Sequence, residues 1–400
     1  MMGYTNRAWA EISLDAIYNN IKAIRDYVTP SAKVLGVVKA DAYGHGFLHV
    51  AKTLLCGGAD MLAVACLDEA VQLRKCNFDC PILILGNSYI KEAENIVMYD
   101  VMAACFEYTL AKAISDAAVR LNKTADIHIK IDTGMGRVGY RYTDDVKECQ
   151  KSIAEIIKIA ALPNLRINGI FTHFAVADED DDQYTYLQFK RFCEICDKLK
   201  ENGIVIPIRH CANSAALVRF PEMHLDMVRP GIILYGIRPS DFVDCDRLGL
   251  KPAMTLKAHI SNVKKIEKGS SVSYGRKYVA DEEKKIATVP IGYADGYSRL
   301  LSNKAQVLVS GILCNVVGNI CMDQCMIDVT NVNNIAIGDE VILFGTGDSE
   351  ELPVESLADK MGTISYEILC MVSKRVPRIY IKNGLKEQSH NYLLDPPFAD

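Results

Sequence analysis

The sequence predicts an α/β chain in two parts, a (β/α)8 barrel of the TIM type followed by a mostly β C-terminal domain. Three observations carry that expectation. Between Lys33 and about Tyr235, short β-branched apolar runs alternate with longer stretches of helical period. After Pro252 the apolar runs continue with few helical stretches between them. The chain has 400 residues, half of them hydrophobic and 24% charged, which is room for two or three domains with ample surface to bury.

Taken in order, the apolar runs of the first part lie at 34–38, 61–66, 81–85, 101–105, 127–131, 167–171, 206–209 and 225–228. Between most of them are amphipathic stretches at 67–77, 109–123, 144–161 and 182–202, each long enough to be a crossover helix. Eight strands with helices between them, in somewhat over 200 residues, fit a barrel. An open doubly wound sheet is the alternative, but no G-x-G-x-x-G opens the first helix. The second part reads as strands at 254–266, 285–290, 305–313, 326–329 and 341–344, punctuated by turns such as Lys268-Gly269-Ser270. A helix at 354–361 and a polar tail from about Gly384 follow. The expected domains are therefore a barrel over 12–245, a β domain over 246–383 that residues 1–11 can join, and a tail over 384–400.

With 45 basic and 50 acidic residues interspersed, the net charge is −5, so no basic field exists to hold a phosphate backbone, and nucleic acid is not an expected partner. Residues 1–7 lack an apolar leader core, and no stretch approaches the roughly 20 apolar residues of a membrane span. A cytoplasmic protein is expected, with no membrane partner. Its 14 cysteines are scattered mostly within apolar runs and read as reduced thiols. Cys76 with Cys80, and Cys193 with Cys196, invite a metal reading. The second pair lies in a helical pattern, and no further pair follows at zinc spacing, so no metal is expected.

A barrel carries its chemistry at the C-terminal ends of its strands. The first run ends in Val37-Val38-Lys39-Ala40-Asp41-Ala42-Tyr43-Gly44-His45-Gly46. A lysine directly after a buried strand sits where its ammonium form is disfavoured, a candidate Schiff-base amine, although a lysine snorkelling from a strand end looks the same. The fifth run leads to Lys130, Asp132 and the glycines before Arg137, whose guanidinium fork suits an oxyanion. His173 follows the sixth run, Ser214 the seventh, and Arg229, Gly231 and Ile232 the eighth. Singly, His173 reads as a core histidine, Arg229 as a cap partner and Ser214 as an N-cap. Jointly they make an electropositive mouth with backbone N–H groups near Ser214 and Gly231 for a phosphate. A reactive lysine beside a phosphate cradle suggests pyridoxal 5'-phosphate. Arg229 is the candidate partner of its pyridine nitrogen, and because a guanidinium keeps its proton it would donate to an unprotonated ring. That arrangement favours proton transfer at Cα over transamination.

The run from Val37 to Gly46 resembles the cofactor-attachment motif of bacterial alanine racemases. The resemblance extends from Trp9-Ala10-Glu11-Ile12 to Tyr366-Glu367-Ile368. It implies a barrel with a C-terminal β domain, a homodimer whose β domain completes the partner's active site, and interconversion of L- and D-alanine, supplying D-alanine as a peptidoglycan precursor. By the same resemblance Lys39 holds the cofactor and is the base for the D-isomer, and Tyr274, in Ser273-Tyr274-Gly275-Arg276, is the base for the L-isomer. Arg137 matches the residue beside the ring hydroxyl and the substrate carboxylate. Met322, in Cys321-Met322-Asp323-Gln324, matches the one whose backbone N–H holds that carboxylate. Tyr43, Ser214, Gly231, Ile232 and Tyr366 match phosphate-binding positions, with His173 and Arg229 behind the ring. Lys130 matches a lysine that is carbamylated in some members and braces Arg137. Tyr293 and Asp295, in Ile291-Gly292-Tyr293-Ala294-Asp295-Gly296-Tyr297, resemble the substrate-entry segment, and Asp323 matches a supporting position. Free lysine and tyrosine both titrate near 10, so His173, linked to Arg229, is expected to assist Tyr274.

The chain departs from the family in having Asn319 where arginine is common and Tyr297 where tryptophan is common, both near the entrance in the family picture. The alternatives are a serine or broad-specificity racemase of the same family, a barrel-type decarboxylase, and a non-catalytic protein that carries pyridoxal phosphate. Without the resemblance, Tyr274 reads as a strand aromatic packing on its sheet.

Overall fold

A computed structural model describes residues 7–347 and 350–395. Most of the N-terminal segment read for a leader and the end of the polar tail lie outside the described residues. The chain divides into two compact units, one formed by 17–42 and 50–251, the other by 1–16, 43–49 and 252–400.

β1 (Ala8–Ser13) belongs to the second unit. The first unit then carries β2 (Lys33–Val37), β3 (Met61–Val64), β4 (Ile82–Ile84), β5 (Met102–Cys105), β6 (Ala125–Asp132), β7 (Tyr140–Arg141), β8 (Leu165–Phe171), β9 (Ile208–His210) and β10 (Met227–Val228). Eight of these run parallel in the order β10-β2-β3-β4-β5-β6-β8-β9, with the short β7 paired to β6. The two ends approach each other, because Asp226 N donates to Arg209 O (3.1 Å) and Arg229 N to Ala212 O (3.0 Å). The result is the expected barrel, nearly closed. Each expected apolar run overlaps one strand. Parallel strands covered on both faces read as unbroken apolar runs, which is why they were visible. The helices outside them follow the amphipathic stretches. Val146–Ala160, for example, is capped by Asp145 accepting from Lys147 N and Glu148 N, and buries Ser152, Ile156 and Ile159.

The second unit is mostly β, as expected. Its strands are β11 (Met254–His259), β12 (Asn262–Ile266), β13 (Ser271–Val272), β14 (Tyr278–Val279), β15 (Lys284–Val289), β16 (Gln306–Val309), β17 (Ile312–Asn315), β18 (Cys325–Asp328), β19 (Glu340–Thr346), β20 (Glu351–Leu352), β21 (Arg378–Lys382) and β22 (Leu385–His390). The main sheet has the order β17-β16-β19-β11-β1-β21-β22, and β12-β15-β18 forms a second. The run at 254–266 therefore serves two sheets, and that at 305–313 folds back at Ser310 (φ 49°) and Gly311 (φ 76°) as a two-residue hairpin. The polar segment after 384 supplies the edge strand β22, paired through its backbone with side chains mostly in solvent. Arg378, on β21, is buried, and among the described residues its guanidinium donates to carbonyls: Gly44, Val372, Ser373 and Val376, at 2.6–2.9 Å. That ties the 43–49 segment into this unit. Among the described residues no helix is long and apolar enough to cross a membrane.

Candidate functional site

β2 delivers Lys39 to the barrel mouth, and the backbone immediately beyond is unusual. Ala40, Asp41 and Ala42 have φ/ψ near +53°/+50°, and Tyr43 has φ 52°, so four non-glycine residues make one left-handed turn. Such a turn costs roughly 1–2 kcal/mol per residue and persists only where its surroundings hold it. Glu69, in the first turn of helix Leu67–Lys75, is part of that hold. One of its carboxylate oxygens accepts from Ala40 N (2.6 Å) and the other from Ala65 N (2.7 Å).

Along β6, Ile127, Ile129 and Ile131 alternate with His128, Lys130 and Asp132, so the polar three share one face. Asp132 Oδ1 accepts from Gly134 N (3.0 Å) and Gly136 N (3.1 Å), shaping the turn that presents the exposed Arg137. The buried ammonium of Lys130 donates to Ile131 O (2.7 Å). Burial, then Arg229, push it down to about 7 against the opposing pull of Asp132. Phe171, at the end of β8, lies beneath two cations, with Lys130 Nζ 5.3 Å and Arg229 Cζ 5.5 Å from its centroid.

Arg229 is buried and donates through Nη2 to Thr172 O (2.9 Å), Cys211 O (3.0 Å) and His173 Nδ1 (3.3 Å), and through Nη1 to His210 Nδ1 (3.1 Å). Burial pushes even this guanidinium down to about 10. Burial first, and then Arg229, Arg137, Lys130 and Lys39, hold the His173 ring well below the ordinary imidazole range. Four cations thus act on one half-buried histidine. Beside this cluster, Ser214 opens helix Ser214–Arg219 after the cap residue Asn213, and its hydroxyl accepts from Gly231 N (2.8 Å). Gly231 then precedes the turn Ile232–Tyr235, whose side chains are buried, so Ile232 offers only backbone there.

The second unit gathers the remaining candidates at two places. Tyr43 is buried and lies 6.0 Å, centroid to centroid, from the half-buried Tyr366, and burial pushes the Tyr43 phenol above its ordinary value. Tyr274, Tyr293 and Met322 lie on adjoining loops and expose 69%, 42% and 53% of their surface, high values for aromatic and apolar residues. The loops interlock: Tyr293 N donates to Cys321 O (3.1 Å) and Ala294 N to Met322 O (3.0 Å). A Cβ at Gly292 would lie 2.2 Å from Cys321 O, so only glycine permits that approach. Ser273, at φ 65°, donates to Asn319 O (2.5 Å), and Asn319 Nδ2 donates back to Tyr274 O (2.7 Å). Asn319, one of the departures from the family pattern, thus holds the Tyr274 backbone. Tyr297, the other, is buried. Asp323 pairs with Arg375 (2.8 Å), which also reaches the fully buried Asp295 (3.4 Å), itself clasped by both terminal nitrogens of Arg7.

Barrel enzymes act through polar residues at strand ends, and this chain adds a β-rich unit to that plan. The class is a two-domain barrel enzyme with a cationic mouth. Comparison with known proteins narrows it. Residues 12–239 match the family described as alanine racemase, N-terminal domain, and 253–380 match alanine racemase, C-terminal domain. Alanine racemase 1 of Clostridium acetobutylicum is 47% identical over 393 residues, 98% of this chain and all of that protein. The solved alanine racemase of Clostridium difficile 630 superposes with a TM-score of 0.93 at 43% identity, covering 98% of this chain and 100% of that one. The Bacillus anthracis alanine racemase solved with bound L-Ala-P gives 0.90 at 37% identity, with 98% and 99% covered. The chain belongs to the alanine racemase family, a family of isomerases.

The residues of the mouth that the sequence did not single out are His128, Glu69 and Phe171. For His128 a signal existed, because the alternation on β6 puts it on the same face as Lys130.

Proposed function

We propose that the protein interconverts L-alanine and D-alanine with pyridoxal 5'-phosphate as cofactor, as a cytoplasmic homodimer with shared active sites. The observation that carries this reading is the basic mouth, where the buried Arg229 donates to His173 Nδ1 and shares the Phe171 face with Lys130, which asks for an anionic ligand, beside a Ser214–Gly231 corner fit for a phosphate. The residues present suit the cofactor. Lys39 would hold it covalently, and Ser214, Gly231 N–H, Ile232 N–H, Tyr43 and Tyr366 would take its phosphate. Arg229 would donate to its pyridine nitrogen and, being a guanidinium, would not transfer a proton there. The chemistry such a group supplies is a ring that draws electrons from the Cα–H bond of an amino acid attached to it.

The chain's own residues then do the proton work. The amine of Lys39 removes or returns the proton on one face of Cα. The phenol oxygen of Tyr274 from a second copy of the chain does so on the other. Because Arg229 donates to His173 Nδ1, the neutral His173 carries its proton on Nε2, a donor suited to support a tyrosine oxygen that has given up its proton. Arg137, braced by Lys130, and the Met322 N–H of the second copy grip the substrate carboxylate. Tyr293 and Asp323 line the way in. A lysine held near neutrality, as Lys130 is, suits carbamylation.

A coupled assay for D-alanine formed from L-alanine, with L-serine in parallel, tests the proposal. D-alanine should form much faster than D-serine. Comparable rates would make the enzyme a broad-specificity racemase, and no product from either would overturn the reading.

A further inference from the structure

Behind Arg229 the polar line continues into the barrel. Arg229 Nη1 donates to His210 Nδ1 at 3.1 Å, and His210 Nε2 lies 2.9 Å from His128 Nδ1, both histidines being fully buried. The His210 ring is stacked on Phe171 (centroids 4.8 Å, 12°) and meets His128 edge-on (5.1 Å, 72°), so its plane is fixed. The proton positions follow by elimination. A guanidinium only donates, so Nδ1 of His210 must accept. A neutral His210 then carries its proton on Nε2 and donates it to His128 Nδ1, which must also accept. Were His210 to take the other tautomer, its Nδ1–H would face the Arg229 N–H, donor against donor. Burial and then Arg229 hold His128 down to about 3 and His210 well below the usual imidazole range, so both stay neutral.

Space for this arrangement comes from one residue. His128 on β6 stands opposite Gly169 on β8, next to a register shift between Ile127 and His128. A Cβ on Gly169 would lie 2.4 Å from both Nδ1 and Cε1 of His128. Nothing in the backbone there demands glycine, since no left-handed φ occurs at 169. The requirement is room for the imidazole.

We infer that His128 is a positioning residue for Arg229: seated in the gap left by Gly169, it accepts the His210 proton, fixes the His210 tautomer and thereby the aim of the Arg229 guanidinium. The inference deepens the proposed racemase reading, since the aim of Arg229 matters only if it meets a ligand.

The test combines a readout without cofactor and a readout of turnover. In cofactor-free protein labelled with 15N-histidine, which has eight histidines to assign, His210 should appear as the neutral Nε2–H form with a hydrogen-bonded proton. His128→Asn, whose Oδ1 falls near the place of Nδ1, should keep that signature. His128→Leu and Gly169→Ala should each lose it. In the loaded enzyme, kcat should fall about tenfold in the latter two with KM nearly unchanged, as for other residues that orient a contacting group. The Asn variant should stay near wild type. The double variant His128→Leu/Gly169→Ala should be no worse than either single change, because both act on one contact. An Nδ1–H His210 in the wild type, an Asn variant as impaired as Leu, or additive losses would overturn the inference. A correct tautomer pattern in a protein that racemises no alanine would uphold the role of His128 and sink the racemase reading instead.

Discussion

In the proposed reaction the barrel mouth and the Tyr274 edge of the β unit supply the two faces of one proton transfer, and they are built in opposite ways. At the mouth the working side chains are fixed in place. Arg229 is buried and donates to four acceptors, and three histidines are held neutral around it. At the edge, what is fixed is the backbone. Asn319, the Gly292 approach and the Arg7–Asp295 clasp lock the loops, while Tyr274 and Met322 project into solvent. A buried cation cluster can be preset by its own unit. An exposed tyrosine works as a base only when something covers it, and in this reading a second copy of the chain does.

The comparison can be broken most sharply at Tyr274. Tyr274→Phe should lower turnover of L-alanine by roughly 10²–10⁴-fold, the usual worth of a positioned acid or base, while cofactor absorbance stays intact. Unchanged turnover would leave the edge without a catalytic role. If the edge serves a second copy, Lys39→Ala and Tyr274→Phe, each inactive, should complement when unfolded and refolded together. Random pairing would restore about a quarter of wild-type activity, since half the dimers would be mixed and each would hold one intact site. No recovery would confine both bases to one chain.

A smaller effect probes the frame beneath the edge. Asp295→Ala removes a buried carboxylate whose partner Arg7 is about one third exposed, so the loss should be nearer 2–3 kcal/mol than the 3–5 of a fully buried pair. Urea unfolding measures it, and a change under about 0.5 kcal/mol, ordinary for a surface site, would show that the clasp does not hold the loops. A pH-dependent effect, modest near neutrality, concerns the mouth. The buried His128 stays neutral down to about 3, whereas an unfolded histidine takes up a proton below its ordinary 6.5. Between those values the unfolded chain binds more protons, so the contribution of His128 is complete above 6.5 and is lost as pH falls. His128→Asn should make stability decline less steeply over that window, by about 1.4 kcal/mol per pH unit. A slope equal to wild type would mean that His128 is charged in the native state.

The barrel was legible because fully covered strands such as Met61–Val64 spell their burial in consecutive apolar letters. Strand β22, Leu-Lys-Glu-Gln-Ser-His, was not, since it pairs through its backbone and buries almost no side chain. β21 begins with Arg378, a charge satisfied by four carbonyls that no local pattern announces. In the site, Lys39, Arg137 and Arg229 stood out as cations at strand ends. The alternation on β6 put His128 on the Lys130 face, but the role inferred for it depends on a glycine some forty residues away in sequence, a pairing that only the β6–β8 register reveals. The left-handed turn had no signal either. Ala-Asp-Ala-Tyr contains none of the glycine that usually marks such backbone.

That turn also limits how the lysine motif can be reused. Four left-handed residues at roughly 1–2 kcal/mol each are a shape the ten letters from Val37 to Gly46 would not adopt alone, so the motif is not portable. Grafted onto another barrel without Glu69 and the contacts around residues 43–49, it would relax to an ordinary right-handed or extended path and point its lysine elsewhere. For anyone rebuilding this site in a new scaffold, the part to copy first is the support, and the reactive residue comes second.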